Sequence, residues 1–255
     1  MDCEAVDDDR MAGLRRWNLG VGVTHLAQAV AIIALGNGFA IPVVAAVQTG
    51  PPGTPLVERA TFFDLRFATA IAMFLMLAAV DHLLMGTGAR RWYEVRLRRG
   101  GNPARWIEYS VSASVMVVLI AMLTGVTDLY ALLGLFGANA AMIGFGHLME
   151  RTNRDREPVT WIPFVFGCLV GAVPWIVVTI AIIVSSAKAD GVPGFVYAIY
   201  VSLFVCFNCF AVNQWLQYRR RGRFADPLFA EKVYLVLSLV AKSLLAWQIF
   251  AGTLT

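Results

Sequence analysis

The sequence predicts an all-α membrane protein: one domain, residues 1–255, built from seven transmembrane helices. Three observations carry that reading. First, 58% of the residues are hydrophobic and only 15% are charged, against roughly 45–50% and about 25% in soluble domains. That excess is too large for one soluble core to hide. Second, the apolar residues fall into seven runs, each near the ~20 residues that cross a bilayer as a helix. Third, the basic residues sit between the runs and mostly at one end of them.

The runs are Arg16–Leu35, Phe67–Gly86, Trp106–Gly125, Leu129–Met149, Ile162–Val184, Phe195–Tyr218 and Val233–Leu254. Short connections, Val126-Thr127-Asp128 and Ser185–Gly194, join the third run to the fourth and the fifth to the sixth. The first connection, Gly36–Arg66, is long. It holds a β-prone run from Ile41 to Val47 and the turn signal Gly50-Pro51-Pro52-Gly53, which together predict a β-hairpin-like loop lying on the membrane surface. No repeat, low-complexity segment or separate soluble domain is evident. The acidic start, MDCEAVDDD, has no apolar stretch and does not read as a signal peptide.

Arginine placement sets the expected orientation. One end of the bundle holds sixteen arginines, in the N-terminal segment and the second, fourth and sixth connections. The other end holds Arg59, Arg66 and Lys188. The N-terminus is therefore expected in the cytoplasm, with the C-terminus and the long first loop outside. The same clustering accounts for the net charge of +4 as membrane flanks, and sets nucleic acid aside as a partner. Of the four cysteines, Cys168, Cys206 and Cys209 lie within apolar runs. The last two form a helical C-x-x-C that reads as packing, not as redox or metal chemistry.

Ionisable groups inside a bilayer are costly, so each needs a reason. Lys242 sits near the middle of the seventh run, in LVLSLVAKSLLAWQIF, too deep to reach an interface easily. A buried lysine suits imine formation with an aldehyde; a structural lysine–glutamate pair fits its position equally well. Glu108, in RWIEYSVSASVM on the third run, is the matching acid. Ser112 lies one turn beyond Glu108, and Ser238 one turn before Lys242. Both hydroxyls suit hydrogen bonding at such a site, and both equally suit ordinary packing of small residues.

By topology His25, His82 and Glu108 share the cytoplasmic half with Lys242 near mid-membrane, so one polar cluster is expected. Asp81, next to His82, is expected on another face as an interfacial acid, and His147 at a helix end as interfacial. Phe207 and Gln214, two turns apart on the sixth run and flanked by Phe204 and Phe210, suit a flat wall for a conjugated ligand, although such a stripe is more often plain core. Met142 and Asn139 on the fourth run, Trp175 on the fifth and Trp247 on the seventh are further candidates for that ligand's surroundings.

These strings resemble a known family. LSLVAKSLLAWQIFAGTL and RWIEYSVSASVMVVLIA look like heliorhodopsin, and FGANAAMIGFG, PFVFGCLVGAVPWI, VPGFVYAIYVSLFVCFN and GPPGTP extend the likeness over nearly the whole chain. The resemblance implies a seven-transmembrane-helix rhodopsin bundle. It implies all-trans retinal on Lys242 as a protonated Schiff base, with Glu108 as sole counterion and His25 and His82 in a cytoplasmic polar cavity. It further implies a homodimer with the first extracellular loop at its interface. Two positions depart from the family's pattern. Ser112-Ala113-Ser114 stands where a run of serines is expected, and His147 where a bulkier non-basic residue is expected.

The functional expectation is a light-sensing photoreceptor with a slow photocycle, an unidentified cytoplasmic signalling partner and no efficient ion pumping. A light-driven proton transporter and a light-gated conductance stand as alternatives. Ser238 occupies the place before Lys242 where a pump would want an acid, and Ser112, Val115 and Leu119 add no carboxylate along the third run. An enzyme is not expected. Three histidines are too few for desaturase boxes, and no Ser/His/Asp array lies within the runs.

Overall fold

The computed structural model describes residues 8–48, 50–54, 58–188 and 191–254. Cys3 and most of the acidic N-terminal stretch lie outside the described residues. Eight α-helices follow in order: α1 (Asp8–Leu35), α2 (Phe67–Gly86), α3 (Arg90–Arg98), α4 (Pro103–Leu123), α5 (Leu129–Thr152), α6 (Ile162–Lys188), α7 (Gly194–Tyr218) and α8 (Pro227–Ile249). A π-helical turn, Phe250–Leu254, extends α8. Among the described residues, all but α3 are long and apolar enough to cross a membrane.

Large apolar side chains such as Ile33, Leu169, Ile176, Ile183 and Val201 face outward. In water that surface would be untenable; in hydrocarbon it costs nothing, because each helix satisfies its own backbone groups. Inside, Phe67, Phe74, Met116, Leu119, Ile120, Leu245 and Ile249 form the main apolar core toward the hairpin end. Met11, Leu14, Met85, Tyr93, Leu97, Leu228 and Leu235 form a smaller one at the arginine-rich end.

Three helix starts are set by side-chain caps, which satisfy amides that have no partner within the helix. Asn102 accepts from the Arg105 amide ahead of α4, with Pro103 in the first turn. Asp128 accepts from Tyr130 and Ala131 ahead of α5, and Asp226 from Leu228 ahead of α8. The α8 start lies six residues before the run predicted from hydropathy, because Glu231 and Lys232 interrupt the apolar pattern without interrupting the helix. Likewise α1 begins at Asp8, not Arg16, since Met11 and Leu14 pack on Tyr93 and Leu97.

The long first connection folds as expected into a hairpin, β1 (Ala40–Val47) against antiparallel β2 (Glu58–Arg66), with a bulge at Val43/Val44. Gly53 takes φ +95° in the turn, a conformation open to glycine. The Val44 amide donates to Thr127 O at 3.0 Å, so the hairpin leans on the α4–α5 loop. Helix α3 was not foreseen. Its arginines read as loop, yet Tyr93 and Leu97, one turn apart, give it a buried face.

Candidate functional site

Lys242 is the side chain on which the interior converges. It is 3% exposed, and its Nζ donates to Glu108 Oε2 at 3.2 Å and to Ser238 Oγ at 2.8 Å. The Tyr109 ring lies 4.8 Å beneath it. Helix geometry explains the convergence. Ser238 precedes Lys242 by one turn on α8, and Glu108 and Tyr109 open the inward face of α4. Glu108 Oε1 and Ser112 Oγ are buried and make no hydrogen bond among the described residues.

Lys242 lines a cavity of about 610 Å³. Its walls are aromatic and apolar: Trp106, Tyr109, Met142, Trp175, Phe204, Phe207, Phe210 and Tyr234 line it, and Gln214 does too. Trp175 stands edge-on to both Phe204 and Phe207. Two glycines keep the space open. A Cβ on Gly146 would lie 2.6 Å from the Trp106 ring, and one on Gly171 would meet Met142 Cγ at 2.9 Å. Gln214 is held in place by donating to Gly146 O at 2.9 Å.

His25 and His82 are buried and stacked, with ring centroids 6.0 Å apart and planes inclined by 16°. Asn18 orients His82. Its Nδ2 donates to Leu14 O, so its Oδ1 faces His82 Nδ1 at 3.1 Å and that ring nitrogen carries the hydrogen. The other nitrogen, Nε2, is left as a base without a partner among the described residues, and neither nitrogen of His25 has a partner among them.

Not every expected residue reaches the cavity. Trp247 is 38% exposed, packs edge-on against Phe250 and is absent from the cavity wall. Five residues after Lys242, it points well away from it around the helix. Asn139 is buried and donates to Ser114 Oγ at 3.1 Å, tying α5 to α4 behind the wall. The expectation for Asp81 is also corrected. It does lie near an arginine, as expected of it, but inside the bundle and on the same side as His82, where it helps line a small polar pocket with Asn18, His82, Asn102, Arg105 and Glu231.

The family profile of the heliorhodopsins matches residues 14–254. The chain belongs to the heliorhodopsin family. Membership makes it a multi-pass, light-responsive membrane protein with retinal bound to a lysine. Among solved structures it is similar to the crystal structure of a light-driven proton pump from Leptosphaeria maculans, with a TM-score of 0.65 and 15% identity over 96% of this chain and 95% of that one. At that identity the likeness concerns the seven-helix fold. No curated protein matches the chain.

One part of this heliorhodopsin escaped the sequence reading. Arg105, counted above as a loop arginine, is 5% exposed. It donates to Glu150 Oε2 on α5 at 2.7 Å and to Glu231 Oε2 on α8, and lies 3.9 Å from the Tyr234 ring centre. Asn102 adds bonds to both acids, through its amide to Glu150 Oε1 at 2.8 Å and its side chain to Glu231 Oε1 at 2.7 Å. Tyr93 on α3 donates to Glu231 Oε1 at 3.1 Å. Burial, and then the Glu231 carboxylate, push the Tyr93 phenol well above its usual range, so it remains a donor. A signal was available: Glu231, Ser238 and Lys242 lie on one stripe of α8, and Arg105, Glu108 and Ser112 on one stripe of α4.

Proposed function

We propose that the chain is a photoreceptor that holds all-trans retinal on Lys242, with Glu108 as the counterion, and that it senses light without pumping ions. The observation that carries this reading is that Lys242, whose amine lies 3.2 Å from a buried carboxylate, lines an aromatic cavity. The residues suit the group. The cavity walls are flat and apolar, and a conjugated chain matches them. Retinal, when bound, supplies light absorption and a photoisomerisation.

The chain's own groups do the rest. Glu108 and Ser238 hold a proton at Lys242 Nζ, since a positive charge in this low dielectric needs a nearby anion. The pair is buried, with the Tyr109 ring packed against the amine. When that proton is released, His82 Nε2 and His25 are the bases at hand. The helix ends around them, at the arginine-rich face, would carry the change to a partner.

What favours a sensor over a pump is the other half of the bundle. From Lys242 toward the hairpin the buried residues Met116, Leu119, Ile120, Leu245 and Ile249 are apolar and carry no titratable group. We place the N-terminus in the cytoplasm on the arginine count. The exposed Phe62 and Phe63 of the hairpin suit a homodimer interface. The test is reconstitution with all-trans retinal, which should give a visible band. Replacement of Glu108 by Gln should shift that band to the red, and an unmoved band would exclude Glu108 as the counterion.

A further inference from the structure

Asp81 has no place in the account so far, although it lies inside the bundle. Its side chain is only 16% exposed, and Oδ2 stands 4.0 Å from His82 Nδ1. It borders a pocket of about 10 Å³, close to the space one water molecule needs. Across that pocket stand Asn102, Arg105 and Glu231. Asp81 thus links two clusters, the lysine–histidine group and the arginine–glutamate group.

The charges at this end do not balance. Lys242 stands against Glu108. Arg105 is shared by Glu150 and Glu231. Asp81 and one glutamate are left unmatched. Unmatched buried anions are expensive, and taking up a proton relieves them. The groups around Asp81 are His82 from its own helix, Glu108, Arg105 and Tyr109 from α4, and Glu231, Tyr234 and Lys242 from α8, with His25 of α1 stacked on His82. Tyr93 and Glu150 stand behind Glu231 and Arg105. His82 is the base nearest to Asp81 among them, and its Nε2 is free.

We propose that Asp81 is the carboxylate against which His82 becomes charged, so that the two form a proton-holding site between the lysine and the arginine-rich face. The step is a transfer of one proton. An N–H bond at Lys242 Nζ breaks and an N–H bond at His82 Nε2 forms; the imidazolium keeps its Nδ1–H on Asn18 and has the Asp81 carboxylate 4.0 Å from that nitrogen as its nearby anion. Asp81 is a positioning residue, acting through His82. The source of the proton rests on the retinal reading; the pairing of Asp81 with His82 does not.

The experiment uses the full chain in lipid nanodiscs without retinal, with ¹⁵N-labelled histidine. At one mildly acidic pH, nuclear magnetic resonance gives the fraction of His82 carrying protons on both ring nitrogens. Asp81→Asn should lower that fraction about fivefold, as removal of an adjacent anion does, and Asp81→Glu should restore most of it. Equal fractions in parent and Asp81→Asn overturn the proposal. The parent alone gives a second reading: isotope-edited infrared bands of aspartate must shift when His82 takes its proton, and silent bands overturn it as well. A retinal-loaded parent without a visible band would remove the chromophore reading while leaving this measurement intact.

Discussion

Two side chains govern the site at the residue scale, and both respond to small changes. Gly171 gives Met142 its place on the cavity wall, because any Cβ there would meet its sulfur and Cγ. Gly171→Val should push Met142 inward. Overpacking costs about 1–3 kcal/mol, so at limiting retinal the visible band should fall about fivefold or more, as read in a reconstitution titration. An undiminished band would show that Met142 has room elsewhere. Ser238 is the second. Its hydroxyl accepts from Lys242 Nζ at 2.8 Å, and Ser238→Ala should move the band while leaving the yield of coloured protein near that of the parent. Lys242, Glu108, Ser112, Ser238 and the two histidines could be chosen from sequence because polar groups within apolar runs stand out. Trp247 was chosen on type and neighbourhood, and its direction around the helix turned it outward.

The arginine–glutamate cluster is the feature that matters at the scale of elements. Arg105 on α4 joins α5 and α8 through buried carboxylates, and Asn102 and Tyr93 add the preceding loop and α3. Breaking such a pair leaves uncompensated charge and costs about 3–5 kcal/mol. Arg105→Gln should therefore lower the melting temperature clearly in detergent, while Arg91→Gln, on the exposed side of α3, should leave it unchanged. Equal melting of the two variants would mean the cluster contributes nothing. The cluster was hidden because Glu150 and Glu231 sit near helix ends, where acids are commonly interfacial. Periodicity along one helix does not say which ends meet in space. The hairpin, by contrast, was legible, since Gly50-Pro51-Pro52-Gly53 follows a β-prone run. Helix α3 was not, because five of its nine residues are charged.

At the scale of the whole molecule the polar groups divide unevenly. Lysine, histidines, acids and arginine occupy the arginine-rich half, and the hairpin half is closed by an apolar core. On the proposed reading, a bundle furnished in this way would take and return protons on one side. Illuminated cells bearing the protein should show no sustained, uncoupler-sensitive pH change; a steady one would establish transport. The seven spans and their order were readable because hydrocarbon demands about 20 apolar residues per crossing. All of this depends on where the chromophore is attached. Borohydride reduction of the retinal-loaded protein, followed by peptide mass mapping, tests that most directly. The added mass should fall on the peptide containing Lys242 and on no other lysine. An adduct on Lys188 or Lys232, with Lys242 unmodified, would contradict the account.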